Sequence, residues 1–428
     1  MGIFAGVIFV LFLTLGMPIG FLIGLIGVFA LWQIGLPNVL IMASSRFIEI
    51  INSYVLMAIP FFMLSGLIMG RIGVSEKILM FSSLLVGRVR GGIAHMNIMA
   101  SVFFAGLSGS GLADITGLGS IEIPMMVGAG YDAEYSTAIT VASACLGPII
   151  PPSILLVVYG GTMNVSIGGL FIAGIPAGIL LAFNLMVANA VISTKRGYPR
   201  REYKIDKKMA FKIIKEAVPP LVLPVIILGG IVGGLTTPTE AGAIAVLYAL
   251  FLGFFYYRNF NLKDLKSVFI DVVKLCGIIF LLIGASGIFS WYVTIARLSD
   301  KLGSILLLIS SNIYILLFIL NIILLIAGMF IDITAALLIL SPVLAPIAIK
   351  FGIHPLHIGM IIVFNLVLGM MTPPLGLGLY CGCIVGKVKF EKLVISSFPL
   401  LLTNIFTLLL ITYFPMLIMW LPKITGFY

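Results

Sequence analysis

Four long stretches of this chain carry no charged side chain. They cover residues 1–45, 135–194, 351–386 and 393–422. A helix that spans a membrane needs roughly 20 apolar residues. Together with the remaining apolar runs, these stretches predict about ten to twelve helical passes, some of them incomplete. The runs are continuous and do not alternate, which disfavours a β-barrel.

The composition excludes most soluble classes of protein. Of the 428 residues, 61% are hydrophobic and 9% are charged, whereas about 25% of a typical soluble domain is charged. A soluble enzyme, a disordered protein and a secreted disulfide scaffold are therefore excluded. No basic residue precedes the first apolar run, so we expect a true membrane segment there rather than a cleavable signal peptide. The predicted fold class is an all-α polytopic membrane protein.

The net charge of +10 is concentrated in one part of the chain. Residues 195–216 hold nine of the 25 lysines and arginines. The positive-inside rule makes this stretch a basic cytoplasmic connector that faces membrane lipid. A nucleic-acid surface would carry interleaved aromatic residues on a folded domain, so we expect no nucleic-acid partner. The connector divides the chain into a first half, 1–194, and a second half, 217–428.

The two halves share three short motifs in the same order. Each match is weak alone, but the common order indicates an internal duplication. The matched pairs are Ser65-Gly66 with Ser286-Gly287, Asp114-Ile115-Thr116 with Asp332-Ile333-Thr334, and Leu146–Pro152 with Leu368–Pro374.

Each half is expected to contain a re-entrant hairpin and a discontinuous helix. The apolar segments around the two acids are broken by glycine or serine, and we predict helical hairpins at about 93–127 (hairpin 1) and 313–350 (hairpin 2). Broken helices should follow at about 135–160 and 357–386, because proline removes a backbone donor and clashes with the preceding turn. The breaks fall at the proline pairs Pro151-Pro152 and Pro373-Pro374.

The charge pattern predicts opposite orientations for the two halves. No lysine or arginine occurs between Arg90 and Lys195, so both flanks of that region should be cytoplasmic. Lys387 follows the second broken helix directly, whereas 159–169, after the first, is uncharged. The same element therefore runs outward in the first half and inward in the second. Inverted repeats with broken helices are typical of secondary transporters.

A third polar segment lies in apolar surroundings. Residues 229–243 read GGIVGGLTTPTEAGA and contain one charge, Glu240. The hydroxyls of Thr236 and Thr237 and the loosened backbone at Gly234 offer several oxygen ligands, as a small hard cation requires. The alternative is a structural glutamate bonded to nearby backbone or hydroxyl groups.

The hairpins carry the remaining candidate groups. Asp114 and Asp332 either help to bind ions at the hairpin tips or cap helix N-termini, and the two roles are compatible. Ser108–Gly111 should form the first tip. It either contributes to a substrate and cation site or packs as a small-residue membrane motif.

An enzyme is a weaker hypothesis. Gly-x-Ser-Gly occurs at 106–109 and 284–287, as in an intramembrane serine protease, but such a dyad needs an intramembrane histidine. His354 and His357 lie in an expected loop, and His95 is expected to be interfacial or structural. We find no nucleotide-binding motif, which argues against a primary pump.

In combination, these motifs resemble the large membrane subunit of the TRAP transporters, the tripartite ATP-independent periplasmic family. The resemblance covers essentially the whole chain. It implies a multi-pass secondary transporter of a bacterial or archaeal inner membrane, which takes up a small organic anion, such as a C4-dicarboxylate or sialic acid, with sodium. It also implies an elevator, in which a hairpin-containing domain slides against a scaffold. The motifs that carry it are FFAGLSGSGLADITGLGSIEIPMM, LGPIIPPSI, GGLTTPTEAGA, GMFIDITAALLILSPVLAPI and LGMMTPPLG.

The resemblance also implies roles for individual residues. Ser108–Ser110 would help to form one sodium site. Gly234 and Thr237 would join Gly369 and Thr372 near another, and the two proline pairs would shape the central site. The full candidate set for substrate and ion binding is Ser108, Gly109, Ser110, Asp114, Pro151, Pro152, Gly234, Thr236, Thr237, Glu240, Asp332, Thr334, Gly369, Thr372, Pro373 and Pro374.

Two protein partners are implied as well. They are a small four-helix membrane subunit on a separate chain and a periplasmic substrate-binding protein. Two alternatives stay open: a stand-alone divalent-anion/sodium symporter, which needs no binding protein, and an ion channel. The second tip reads GMFID where the first reads GSGLAD, so the two tips cannot offer the same side chains.

Overall fold

The computed structural model describes residues 12, 15–35, 38–87, 89–199, 206–310 and 312–428. Parts of the expected first membrane segment and of the basic connector lie outside these residues. Up to residue 199 the described chain forms α1 (Ile19–Gln33), α2 (Val39–Ile51), a 3₁₀ turn (Tyr54–Met57), α3 (Ala58–Arg71), α4 (Val74–Val86), α5 (Gly92–Ser108), α6 (Gly111–Gly117), α7 (Gly119–Gly128), α8 (Ala133–Ala144), α9 (Ile154–Met163) and α10 (Ile167–Arg196).

The described part of the second half also consists of helices joined by short connections. Its first helix begins within the predicted connector, whose last basic residues therefore lie on helical turns. The elements are α11 (Lys207–Val232), α12 (Pro238–Phe251) with a π turn (Leu252–Tyr256), α13 (Leu262–Ile295), α14 (Leu298–Ile309), α15 (Ile313–Phe330), α16 (Ile333–Lys350), α17 (Pro355–Gly369), α18 (Leu377–Gly386), α19 (Phe390–Tyr413) and α20 (Met416–Ile424).

Eight of the described helical segments are long and apolar enough to cross a membrane. Five shorter apolar helices accompany them, and three of the five, Ile154–Met163, Pro355–Gly369 and Leu377–Gly386, belong to the broken helices. The all-α membrane fold predicted from the sequence is therefore confirmed. The long segments are Tyr54–Arg71, Ile167–Arg196, Lys207–Val232, Pro238–Tyr256, Leu262–Ile295, Ile313–Phe330, Ile333–Lys350 and Phe390–Tyr413.

Both hairpins form by an abrupt reversal between two helices. In hairpin 1, α5 ends at Ser108 and the next residue, Gly109, has a φ of 60°. Glycine adopts this left-handed conformation without a steric penalty. The chain then returns through α6 and α7. In hairpin 2, α15 ends at Phe330, and Asp332 caps the returning helix α16. We call residues 108–111 tip 1 and residues 331–334 tip 2.

A broken helix follows each hairpin. The first consists of α8 and α9 with a break at 145–153, and the second of α17 and α18 with a break at 370–376. Both proline pairs have a cis peptide bond. The first pair is buried, whereas Pro374 is exposed. Both halves thus contain a helix broken at a cis proline pair, but the proline pair is more deeply buried in the first half than in the second.

Several helices end in charged residues at one end of the molecule, which we call the basic end because Arg71, Arg196 and Lys392 lie there. The Tyr198 hydroxyl donates there to Asp132 at 2.6 Å, and burial raises the pKa of Tyr198 to about 12. The ion pairs at this end are Arg71–Asp264 at 3.7 Å, Arg196–Asp132 at 3.0 Å and Lys392–Glu134 at 3.6 Å. The positive-inside rule assigns this end to the cytoplasm.

The two hairpins enter from opposite ends. Hairpin 1 finishes just before Asp132, at the basic end. Helix α13 leaves the basic end near Asp264 and has 34 residues, so it rises about 50 Å. Hairpin 2 begins beyond it and finishes at Lys350, which pairs with Asp300 at the far end. The repeats are inverted, as the charge pattern predicts.

The halves are intertwined rather than side by side. Helix α1 packs along α13, and α12 packs along α3, so each half supplies a helix to the other. The hairpins pack against the broken helices, α5 on α8 and α15 on α17. This arrangement brings the two tips toward the middle of the molecule, where the broken helices are interrupted.

Candidate functional site

A cleft of about 630 Å³ lies where the two hairpin tips meet. Tip 1 contributes Ser108 to Gly111, and tip 2 contributes Asp332 to Thr334. Pro148 of the first break and Met370 of the second also line it. The fold thereby brings four elements that are far apart in the sequence to one cavity.

The geometry of tip 1 centres on Ser108 and Asp114. The Ser108 hydroxyl donates to Asp114 Oδ1 at 2.6 Å, and Asp114 is only 1% exposed. The Ser110 backbone N–H approaches Ser108 Oγ at 3.4 Å. Because the Ser108 proton is directed toward the carboxylate and the Ser110 N–H takes one lone pair of Ser108 Oγ, the second lone pair remains available to a cation.

Tip 1 is pressed against the first break. A Cβ added at Gly109 would lie 2.7 Å from the Pro152 carbonyl oxygen, and one at Gly147 would lie 3.1 Å from Asp114 Oδ2. Only glycine fits so close an approach. Carbonyl and hydroxyl oxygens of the kind that sodium prefers are thus gathered around this tip.

Tip 2 differs in its chemistry. Asp332 Oδ1 accepts hydrogen bonds from the backbone N–H groups of Thr334 at 2.9 Å and Ala335 at 3.3 Å. The alternative of a helix cap is therefore correct for Asp332, whereas Asp114 lies inside its helical arm and bonds to Ser108. The side-chain hydroxyl of Thr334 lies on the same half-buried turn.

The second break packs behind tip 2. A Cβ at Gly369 would lie 2.4 Å from the carbonyl of Gly328 on hairpin 2. Thr372 is 4% exposed, and its hydroxyl donates to the Leu368 carbonyl at 2.7 Å. The carbonyl oxygen of Met370 accepts from the Gly378 N–H at 2.9 Å. Pro373 is half-buried beside these residues, and Pro374 is exposed.

The Thr-Pro-Thr-Glu segment forms the start of α12. Thr237 and Glu240 make a capping box, with Thr237 Oγ1 donating to Glu240 Oε2 at 2.9 Å. Gly234, Thr237 and Glu240 are exposed, and Thr236 is half-buried. Thr239 donates at 2.9 Å to the carbonyl of Tyr54, in the 3₁₀ turn that precedes α3. A sodium site shared by this segment and the second break remains a prediction.

Sequence reasoning missed a buried acid in hairpin 1. Glu122 on α7 is 0% exposed, and its two carboxylate oxygens have no hydrogen-bond partner among the described residues. The signal was present, since Glu122 is the one charge between Asp114 and Asp132. An ionisable residue inside a membrane segment is a functional candidate by default.

Three charged groups of the cleft wall were also missed, namely Arg71, Glu76 and Asp271. Glu76, Asp271 and Asp332 line it together with Arg71. Three acids and one base leave a negative excess, so a bound anion would meet repulsion unless cations accompany it. Neither Gly-x-Ser-Gly motif forms a serine protease site. At tip 1, Ser108 donates to Asp114, and on α13 Ser286 donates to the Ile283 carbonyl at 2.7 Å.

Known proteins share both the sequence and the fold. The sialic acid TRAP transporter large permease protein SiaM of Vibrio cholerae is 39% identical over 409 residues, which are 96% of this chain and 95% of that protein. The C4-dicarboxylate TRAP transporter large permease protein DctM of Pseudomonas aeruginosa is 35% identical over 381 residues, 89% of each chain.

A solved structure extends the comparison to the fold. The YdaH transporter of Alcanivorax borkumensis superposes with a TM-score of 0.60 at 15% identity, over 89% of each chain. The family model described as "Tripartite ATP-independent periplasmic transporter, DctM component" matches residues 6–417. This chain belongs to that family, and it is a multi-pass permease subunit of a bacterial inner-membrane transporter rather than an enzyme.

Proposed function

We propose that this chain moves a small organic anion, a carboxylate, into the cell together with sodium, by an elevator motion of its hairpin-bearing domain. The observation that carries this proposal is the single cleft at which both hairpin tips and both breaks meet. Backbone amides at broken helices favour anions, and transporters built from inverted repeats typically bind their substrates near the membrane midplane.

The charge of the cleft supports the proposal of sodium coupling. Its wall carries three acids and one arginine, so a carboxylate gains little from the wall itself. Sodium at tip 1, held by Ser108 Oγ and nearby carbonyl oxygens, would supply the missing positive charge. A sodium gradient could then drive accumulation, because the anion binds well only when the cation is present.

The substrate class rests on the relatives. The relative SiaM is named as a sialic acid transporter protein and DctM as a C4-dicarboxylate transporter protein. Both compounds bear a carboxylate. As a large permease this chain would act with a small four-helix membrane subunit and a periplasmic binding protein. Much of the selectivity among anions would then belong to the binding protein.

The experiment is uptake of labelled carboxylates by proteoliposomes under an inward sodium gradient. The chain is reconstituted with and without its small subunit and its binding protein. We expect uptake that requires sodium and both partners. Uptake by the chain alone would instead identify a stand-alone symporter, and uptake that ignores sodium would overturn the coupling. Saturable counterflow separates a transporter from a channel.

A further inference from the structure

The cleft extends from the hairpin tips to the basic end of the molecule. There its wall is formed by the last turn of α3, the start of α4 and one face of α13. No residue of α14, at the far end, lines the cleft in the described part of the chain. A substrate released from the tips therefore leaves between α3 and α13. The α13 face repeats at helical spacing and consists of Val268, Asp271, Leu275 and Ile279.

Arg71 lies on this path, close to tip 1. Gly66 on α3 packs against the end of α5, since a Cβ added there would lie 2.6 Å from the Leu107 carbonyl oxygen and 3.5 Å from Ser108 Cα. Arg71 follows five residues later, which is a rise of about 7.5 Å along the helix. A carboxylate that leaves the tip thus passes Arg71 before it reaches the cytoplasm.

Arg71 is the one basic side chain among the described residues that line the cleft. Glu76 and Asp271 line the same end, and Asp264 lies beside Arg71. The neighbouring Lys77 donates to two backbone carbonyls at the end of α3 and does not line the cleft. An anion at this end meets repulsion from three carboxylates, so a single guanidinium decides whether its passage is favourable.

The contacts of Arg71 are weak enough to be exchanged. Its Nε lies 3.7 Å from Asp264 Oδ1, and its Nη2 donates to Ser267 Oγ at 3.4 Å. The Arg71 side chain is 54% exposed, and exposed ion pairs contribute little to stability. Asp264 Oδ2 also accepts from the Asn261 N–H at 3.1 Å, in the capping box of α13. Asp264 therefore keeps a partner when Arg71 moves away.

A carboxylate is well suited to replace these contacts. A guanidinium presents five N–H donors in a planar fork, which matches the two oxygens of a carboxylate. Asp264 and Ser267 each engage this fork through one long contact. A mobile carboxylate can align with the fork and form two short hydrogen bonds in their place.

We propose that Arg71 receives the substrate carboxylate at the cytoplasmic end of the cleft, and that it exchanges its contacts with Asp264 and Ser267 for the anion. Arg71 then sets the affinity for substrate on the cytoplasmic side and the rate of release there. Asp264 competes with the substrate for Arg71 and thereby favours departure of the anion. This inference rests on the proposed function, which supplies the carboxylate.

The first test uses an anionic probe and does not require transport. Leu67 lines the cleft one turn before Arg71 on α3. In a chain whose native cysteines are replaced, Leu67→Cys is labelled in lipid nanodiscs with a sulfonate-bearing methanethiosulfonate and with a neutral one. We expect Arg71→Gln to slow the anionic reagent about tenfold and to leave the neutral reagent unaffected. Arg196→Gln is the matched control, because Arg196 pairs with Asp132 at the basic end and does not line the cleft.

The variant Asp264→Asn separates exchange from a structural ion pair. Asparagine keeps an oxygen for the capping box of α13 but competes less for Arg71, so the anionic reagent should react faster than in the parent chain. A merely structural link between α3 and α13 would make Asp264→Asn and Arg71→Gln lose the same reactivity. That result would overturn the proposal.

The second test measures exchange by proteoliposomes that contain the chain and its small subunit. The binding protein is added outside only, so that only molecules with their far end outward take part. Labelled sialic acid or succinate enters from outside while the unlabelled compound is varied inside. We expect Arg71→Gln to raise the internal concentration for half-maximal exchange about tenfold, with the external value unchanged. Equal changes on both sides would contradict a role at the cytoplasmic end.

The two tests fail separately. If wild type carries neither carboxylate with sodium, the proposed function fails, and the reagent rates still decide the role of Arg71. A selective loss of the anionic reaction in Arg71→Gln supports Arg71 as an anion-receiving group. Equal rates in Arg71→Gln and Arg196→Gln overturn it, even if wild type transports normally.

Discussion

Gly147 lies where tip 1 touches the first broken helix. A Cβ at this position would lie 2.9 Å from the carbonyl carbon of Ser110 and 3.1 Å from Asp114 Oδ2. Neither neighbour is the free end of a flexible side chain. A single methyl group would therefore displace the tip itself rather than a side chain.

We expect Gly147→Ala to reduce sodium-driven uptake by about tenfold or more, because a small displacement of ligand oxygens has a large effect on binding and transport. Protein yield should fall much less. The matched control is Gly128→Ala, which places its methyl group in open space. Equal uptake by the two variants would show that the contact between tip and break is unimportant.

At the scale of helices, buried asparagines attach each hairpin to its broken helix. In the first half, Asn97 on α5 donates to Thr140 on α8 at 2.7 Å. In the second, Asn365 on α17 donates to the side chain of Asn321 on α15 at 2.9 Å. Both Asn97 and Asn365 are fully buried. In both repeats a buried asparagine side chain thus joins the hairpin to its broken helix. The donor lies on the hairpin in the first half and on the broken helix in the second.

Asn97→Ala and Asn365→Ala should each lower the free energy of unfolding by about 1 kcal/mol, since each removes a buried interhelical hydrogen bond. Thermal unfolding in detergent measures the effect. Thr194→Ala serves as the control, because its exposed hydroxyl bonds only within its own helix. A control that loses as much stability as the two variants would contradict the interhelical role.

The start of α12 allows a cap and a cation ligand to be distinguished. Thr237→Ala should cost about 1 kcal/mol of stability through loss of the N-cap. If Thr237 also binds sodium, the sodium concentration for half-maximal uptake should rise as well. Thr237→Ser restores the hydroxyl and should restore both properties. If only the stability changes and the sodium dependence of uptake stays normal, Thr237 acts as an N-cap and does not bind sodium.

At the scale of the whole molecule, hairpin 1 contacts helices that belong to the second half. Gly106 on α5 faces Pro224 on α11, with 3.2 Å between an added Cβ and the Pro224 Cβ. Helix α11 also packs on α12, which in turn packs on α3. An elevator requires the hairpin to slide past such neighbours.

The double variant Gly106→Cys with Pro224→Cys should therefore form a disulfide that stops uptake. Cβ atoms in disulfides lie about 3.5–4.5 Å apart, and loss of the proline ring provides the room. The native cysteines are replaced first. Reduction should restore uptake, and each single variant should stay active under oxidation. Full activity of the cross-linked protein would contradict a sliding motion at this contact.

Local patterns in the sequence were sufficient for the fold class. Apolar run length, proline pairs and the positions of lysine and arginine predicted membrane helices, two hairpins, two broken helices and inverted halves. These features depend on residues that are close together in the sequence and on the boundary between the membrane and water. The sequence did not show that α1 pairs with α13 and α12 with α3, because such pairing depends on shape complementarity between distant segments.

For the candidate site, too, the sequence determined some features and the tertiary structure others. The sequence by itself determined that the chain is a permease of inverted repeats and which polar residues lie within its apolar segments. Only the tertiary structure decided that Asp332 caps a helix, that Asp114 and Glu122 are buried, and that Thr237 is exposed. The reason is physical: burial and hydrogen bonding of a side chain are set by the segments packed around it, and those lie far away along the chain.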